Sequence, residues 1–329
     1  MKKLSIVCMI ILGLVLLTAC GGNSDVAGDG NQTVRINFPT ATTTGTLYPL
    51  GAAMANVWNT ELDNVRVSSQ ASDGGVHNLN LMRDGDAQIS FATSGIMLEA
   101  LEGTGTFEGR PYEDLRIIAG LYYNPNQFVV RKGSGVTNIS QIEGKNFTPG
   151  AAGSTVEVET GVLLRAYGID YPDGIRPHFV GFTEAIDLMR NNQIDGAYIQ
   201  AGLPTAAVTE MISTADGALL SMDEDIIESL MDDYPWYSRF TIPADAYPNQ
   251  TEGIDTVAIK MMLMADASVS DDLIYDLMKT FWENVDKPAL KDAHRIVEQI
   301  KIENAASDLS GMPLHPGAER YYREVGIIE

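Results

Sequence analysis

Five short stretches of this 329-residue chain combine small residues, hydroxyls and amides in a way that suits ligand capture. Thr44, Gly45, Thr46 and Tyr48 follow the first apolar segment, and Ser72, Gly74, Gly75 and Asn78 follow the second. Thr93 and Ser94 follow the third. Later in the chain Gly153, Ser154 and Thr155 open a helix, and Gln200, Gly202 and Pro204 follow another apolar segment. None of the stretches 39–51, 69–78, 93–95, 149–155 and 199–205 contains Lys or Arg. Glycines let backbone approach a ligand, and N–H groups at a helix start, helped by Ser and Thr hydroxyls, favour a carboxylate or phosphate. An anion held here would be met by backbone dipoles and hydroxyls alone. Gln200 suits a polar amide or carboxylate, and Tyr48 suits packing on a ligand body with its hydroxyl free to donate. Ser, Thr and Gly are also ordinary helix caps. Each stretch alone therefore has two readings, and the equivalent placement of all five favours a shared ligand.

Other chemistries find little support. No G-x-x-x-x-G-K-[ST] phosphate loop and no G-x-S-x-G nucleophile elbow occurs. His77, His178, His294 and His315 are scattered without metal-ligand spacing, and the two cysteines are Cys8 and Cys20. His77 lies four residues from Asp73, a conceivable catalytic pair, but at a helix start capping explains it. The reading is of no enzyme, no cofactor, no metal site and no catalytic residue. A net charge of −22 argues against nucleic acid and against broad docking on anionic lipid; it suits a dispersed, soluble surface.

The elements that must position these loops alternate. Thr33–Phe38, Val65–Ser68 and Ala87–Ala92 read as strands, with helices over Leu50–Thr60, Val76–Arg83 and Gly95–Leu101. Strands over Leu115–Leu121 and Gln127–Arg131 flank Tyr122-Tyr123-Asn124-Pro125-Asn126, which reads as a crossover. A second run has strands at Asn146–Thr148, Arg176–Val180, Gly196–Ile199 and Ala218–Ser221, with helices over Ser154–Tyr167, Thr183–Asn191 and Leu203–Ile212. Thr256–Met264 reads as a central strand whose methionines are core. Helices over Asp271–Asn284 and Lys287–Ile302 follow. Such alternation predicts parallel α/β sheets in two lobes, with ligands beyond the strand ends. The expected division is 32–124 plus 222–329 for lobe one and 125–221 for lobe two.

The N-terminus is read separately. Lys2 and Lys3, an apolar run over Ile6–Leu17, and Leu17-Thr18-Ala19-Cys20 have the order of a secretory signal. The run is shorter than the ~20 residues of a membrane span. Its end resembles a bacterial lipoprotein box, so residues 1–20 are expected to be a lipoprotein signal peptide with Cys20 lipidated. Residues 21–31 then form a flexible tether, and the protein sits outside the cytoplasmic membrane, anchored by lipid.

Several motifs together resemble the TAXI-type solute receptors of TRAP transporters. They are Gly45-Thr46-Leu47-Tyr48-Pro49-Leu50-Gly51, Gly74-Gly75-Val76-His77-Asn78-Leu79, Glu143-Gly144-Lys145, Gly153-Ser154, Ile194-Asp195-Gly196-Ala197 and Thr241-Ile242-Pro243-Ala244-Asp245-Ala246-Tyr247-Pro248, together with the tail Pro313–Glu324. Leu47, Val76 and Thr155 depart from that family's usual tyrosine, serine and glycine. The resemblance spans residues 33–329. It implies a two-lobed periplasmic-binding-protein-like fold of type II that closes on a ligand at a hinge. It implies a small amino acid or carboxylate of the glutamate, glutamine or 2-oxoglutarate class, delivered to an ion-gradient-driven TRAP membrane permease by a monomeric receptor. Alternatives that share the fold are an ABC-importer receptor or a sensory lipoprotein binding a small organic anion.

Overall fold

The computed structural model describes residues 33–329; the expected signal peptide, tether and Cys20 lie outside the described residues. The first half alternates β1 (Val34–Pro39), α1 (Leu47–Glu61), β2 (Val65–Gln70), α2 (Gly75–Arg83), β3 (Ile89–Thr93) and α3 (Ser94–Glu102). β4 (Leu115–Arg131) leads into β5 (Asn146–Thr148), α4 (Thr155–Ala166), β6 (Arg176–Pro177), α5 (Phe182–Arg190), β7 (Gly196–Gln200), α6 (Ala206–Thr214) and β8 (Gly217–Leu220). The chain closes with α7 (Glu224–Asp233), β9 (Tyr237–Ile242), β10 (Ile254–Asp266), α8 (Asp271–Asn284), α9 (Pro288–Lys291) and α10 (Pro316–Glu324).

One sheet runs in the order β3-β10-β4-β7-β5-β6, with β8 also on β4 and β9 also on β10. β1 and β2 form a parallel pair. That pair is tied beside β3 by Ser90 Oγ donating to the Pro39 carbonyl at 2.6 Å and by the Asn37 amide donating to Gln88 Oε1 at 2.8 Å. The sheet is mixed rather than parallel throughout: β5 is parallel to β6 and β7, whereas β4 and β10 are antiparallel to every strand they pair with.

β4 and β10 are the two strands that serve both halves. β4 pairs with β10 as far as Pro125 and takes β7 as its partner from Asn126. The expected crossover at Tyr122–Asn126 is therefore continuous strand, 17 residues long from Leu115 to Arg131. Proline has no N–H to give a ladder. Pro125 sits where the strand changes partner, so the irregularity falls where pairing is already interrupted. β10 pairs with β9 over Ile254–Ile259 and with β3 over Met261–Ala265.

Alternation along these strands feeds separate cores. Met261, Leu263 and Ala265 join Phe38, Trp58, Phe91, Phe281 and Tyr322 on one face, while Met262 and Met264 join Leu79, Met97 and Phe107 on the other. The methionine-rich strand is core, as its sequence suggested. In the second half Phe128 and Tyr198 pack with Phe147, Leu164 and Tyr237, and Val129 packs with Ile199, Met211 and Val208 on the opposite face. The sequence division assigns 222–329 to lobe one. Met222, Ile227, Leu230, Tyr237, Val257 and Ile259 share the core of Phe128 and Phe147. From Met261 onward the chain packs with the first half.

Three further expectations shift. The expected helix over Lys287–Ile302 is only α9 plus a tight 3-10 turn over Arg295–Gln299. His294 is extended there, and its Nδ1 accepts from the Ile296 N–H to start the new turn. The helix expected from Leu203 begins at Ala206, because the residue before Pro204 is steered away from helical backbone. The strand expected over Arg176–Val180 is reduced to Arg176–Pro177.

Candidate ligand-binding site

The strand ends do converge. The loop after β1, the starts of α1 and α2, the end of β3, the start of α4 and the end of β7 surround one cavity of about 60 Å³. Leu47, Gly75 and Thr155 line it as first residues of α1, α2 and α4. Three helix N-termini therefore border one small space, and the positive end of a helix dipole favours an anion near it. Phe91, Val156, Phe182 and Met261 supply apolar wall.

The lining loops also touch each other across the two halves. Thr46 Oγ1 donates to the Gly202 carbonyl at 3.1 Å, the Val76 amide donates to Thr155 Oγ1 at 3.0 Å, and Thr205 Oγ1 donates to the Thr44 carbonyl at 3.3 Å. Two glycines make this approach possible. A β-carbon on Gly75 would lie 3.0 Å from Thr155 Oγ1 and from the Ala92 side chain. One on Gly202 would lie 2.9 Å from the Tyr122 ring and from Ile296.

The polar lining is uneven. Thr93 Oγ1, Tyr122 OH and Asn124 Oδ1 are buried and have no hydrogen-bond partner among the described residues, and all three residues line the cavity. Gln200 donates through Nε2 to Asn126 Oδ1 at 3.1 Å, which leaves its carbonyl oxygen for a ligand. Asn126 Oδ1 also accepts from Tyr198 OH at 2.7 Å. Burial holds the Tyr122 hydroxyl far above its usual range, so it is a neutral group. Asp73 is the lone formally charged residue of the lining among the described residues. Its carboxylate lies 3.6 Å from His77 Nδ1, and both side chains are substantially exposed. The Asp73 amide donates to that same nitrogen, while the N-cap of α2 is Gly74 with no side-chain cap, so the capping expected of the Asp73–His77 pair is not formed.

Of the residues singled out in the sequence, Gly45, Thr46, Gly74, Gly75, Thr93, Thr155 and Gln200 line the cavity. Thr44 and Gly202 sit beside it and act through their carbonyls in the cross-cleft bonds. Tyr48 is 36% exposed on α1 and is not part of the lining. Asn78 is fully buried and ties two carbonyls, donating to Thr40 at 3.0 Å and Phe91 at 2.9 Å. Ser72 accepts from the Gly74 amide, and Ser154 caps α4 by accepting from the Glu157 amide. Gly153 holds a left-handed turn, with φ of 73°. Ser94 is buried as the first residue of α3, and Pro204 lines surface grooves elsewhere.

The reading of the loops missed Tyr122 and Asn124. Both stand on the strand taken for a crossover, two residues apart, so strand geometry puts them on one face. That spacing was visible. Phe182 and Met261 carry no such signal, since an apolar residue in a pocket wall looks like any core residue.

Residues 38–326 match the NMT1-like family. The chain belongs to the NMT1-like family. Among solved structures, this NMT1-like protein is similar to the alkanesulfonate-binding protein SsuA from Xanthomonas axonopodis pv. citri bound to MOPS. The two are 12% identical with a TM-score of 0.53, over 89% of this chain and 84% of that one. It is similar to the same degree, TM-score 0.53, to a periplasmic transporter, at 14% identity over 89% of this chain and 92% of that one. At such identities the likeness is one of fold: a mixed α/β, two-lobed periplasmic-binding-protein architecture resembling type II.

Proposed function

We propose that this chain is an extracytoplasmic solute-binding receptor that captures a small amino acid or carboxylate between two lobes and hands it to a membrane permease. The observation that carries this reading is the cavity itself: it is lined from both halves, and hydrogen bonds between the surrounding loops bridge them. Closure around a solute removes it from water and strengthens each polar contact. A volume of about 60 Å³ exceeds the ~10–15 Å³ that a single water requires and suits a compact solute. In this reading the lobes exchange chain near Pro125 and near Ile259, and β4 and β10 form the hinge. Cys20 carries the lipid that keeps the receptor at the membrane, and the receptor works as a monomer without a cofactor.

For the permease, the likeness to an alkanesulfonate-binding receptor supports an ABC-type importer ahead of a TRAP-type one. The TRAP reading rests on the sequence motifs around Gly45–Gly51 and Pro313–Glu324. A sensory role would use the same site. Solute uptake by membrane vesicles carrying the receptor and its permease separates them. Uptake that needs ATP and survives collapse of ion gradients supports the ABC reading, and the reverse supports TRAP. Binding without uptake leaves the sensory role. Titration calorimetry of the full chain against small amino acids and carboxylates tests the receptor reading itself, which fails if no member of the panel binds.

A further inference from the structure

Glu159 on α4 is a buried acid that the receptor reading does not use. It is 4% exposed and lies one turn along α4 from Thr155, which lines the cavity. Four helical residues rise about 6 Å, so the acid sits one turn behind the cavity wall. Its hydrogen bond among the described residues comes from Tyr237 OH at 2.6 Å. Burial drives its carboxyl up to about 7, the Tyr237 hydroxyl pulls the other way, and the charge of Glu99 adds a smaller push.

The same acid stands in the seam between the halves. Near it on α4, Thr155 Oγ1 accepts from the Val76 amide of the first half at 3.0 Å, and Val158 packs on the core of Leu79, Met97 and Phe107. Tyr237 follows Trp236, whose ring lies on Gly95 of α3: a β-carbon there would be 2.7 Å from the indole nitrogen. Glu99 is one turn further along α3 and accepts from the Thr106 amide. Two carboxyl groups from opposite halves thus share one seam. No cation offsets them among the described residues. Arg165 of α4 donates to the Tyr171 carbonyl, Arg83 of α2 donates to the Arg110 carbonyl, and Arg239 of β9 pairs with Glu224 of α7. His77 of α2 lies beside Asp73, and the acids within α7 are exposed. From β7 the titratable group that faces Glu159 is Tyr198, whose ionisation burial and Glu159 both oppose.

We propose that capture is proton-linked: closing the halves on a solute takes up a proton at Glu159, so the receptor holds its solute more tightly below pH 7 than above it. In the open form the seam parts, water reaches the acid and Glu99 is withdrawn, so the carboxyl moves back toward the ordinary range. In the closed form an ionised Glu159 would be buried beside a second acid. An acidic solute in the cavity adds another negative charge and favours the proton further. The closed-state value lies above the open one, so this help to closure is full below the open value and is lost as pH rises through about 7. The inference rests on the receptor reading above and adds a control to the same site.

The test is titration calorimetry of the full chain with L-alanine, L-glutamate and propionate at pH 6, 7 and 8, a range in which these probes keep their charge. Small-angle scattering of the solute-free chain accompanies it. Wild-type affinity for any probe that binds is expected to fall about threefold or more from pH 6 to pH 8. Heats measured in cacodylate and in imidazole, which differ in ionisation heat, should report uptake of about half a proton near pH 6.5. Without solute, the chain should be more compact at pH 6 than at pH 8. Glu159→Gln mimics the protonated acid and keeps an acceptor for Tyr237. It is expected to bind at pH 8 as tightly as the wild type at pH 6, with no pH dependence, whereas a packing defect would weaken binding at every pH. Glu99→Gln is expected to shrink the fall without abolishing it. Wild-type affinity that stays level from pH 6 to pH 8 overturns the inference and leaves the receptor reading standing. A pH dependence kept by folded Glu159→Gln removes Glu159 from the role. If none of the three probes binds, the small-acid reading fails, and compactness that stays level with pH then overturns proton-linked closure as well. The wild-type comparison decides even if a variant does not fold.

Discussion

At the scale of single residues, burial decides which polar groups carry charge. Glu159 on α4 is 4% exposed and accepts from Tyr237 OH at 2.6 Å. Burial drives its carboxyl up to about 7, against the pull of that hydroxyl, and Glu99 adds a smaller push. The folded state then holds a proton that the unfolded chain releases above about 4.5. This contribution is greatest below pH 4.5 and is lost as pH rises through 7, by about 3 kcal/mol in all. Glu159→Gln should remove the loss, so urea melts of variant and wild type should diverge in favour of the variant between pH 5 and pH 8. Parallel melts across that range would show that Glu159 does not titrate there. His315 has the opposite sign. It is fully buried, caps α10 by accepting from the Gly317 amide, and burial lowers its pKa below 6.5. Its neutral form is kept in the fold, so its contribution is present above pH 6.5 and fades as pH falls toward the folded value.

At the scale of elements, caps and glycines separate structural roles from ligand contacts. Ser154 was singled out as a ligand contact, yet its hydroxyl accepts from the Glu157 amide as the N-cap of α4. Ser154→Ala should cost about 1 kcal/mol of stability and leave solute affinity within about twofold. Thermal melts alongside calorimetry check this, and a tenfold affinity loss at unchanged stability would place Ser154 on the solute instead. Ser270 caps α8 in the same way and lies far along the chain from the loops, so Ser270→Ala should match the stability loss with no change in binding.

For the whole molecule the matter is closure. Gly202 accepts from Thr46 across the cleft and leaves room for Tyr122 and Ile296. Gly202→Ala puts a methyl where those side chains stand, so the halves should not meet fully. Affinity should fall tenfold or more, the effect of about 1–3 kcal/mol of overpacking. Small-angle scattering should show a solute-induced compaction in the wild type that is reduced in the variant. Equal compaction in both would separate Gly202 from closure. Cys20→Ser should shift the protein from the membrane fraction to the soluble fraction, and continued membrane association would argue against the lipid anchor.

The strands and helices of the first half were legible because each obeys a local rule. β1 alternates exposed and buried residues, α1 buries one face, and the loops between them carry Thr and Gly. Five of the residues singled out in those loops line the cavity, with Thr155 and Gln200 from the second half, since ligands in such sheets collect where strands end. The rest depends on contacts between distant segments. Whether Ser154 caps or binds, and whether Asn78 faces solute or the carbonyls of Thr40 and Phe91, is decided by neighbours that local spacing does not name. Tyr122–Asn126 looks like a turn because of Pro125, and only pairing with β10 and then β7 makes it one strand. By itself the sequence determined periodicity, cap chemistry and the absence of Lys and Arg from the five loops, all of which are local. The tertiary structure decided which hydroxyls lack a partner, because that depends on long-range packing.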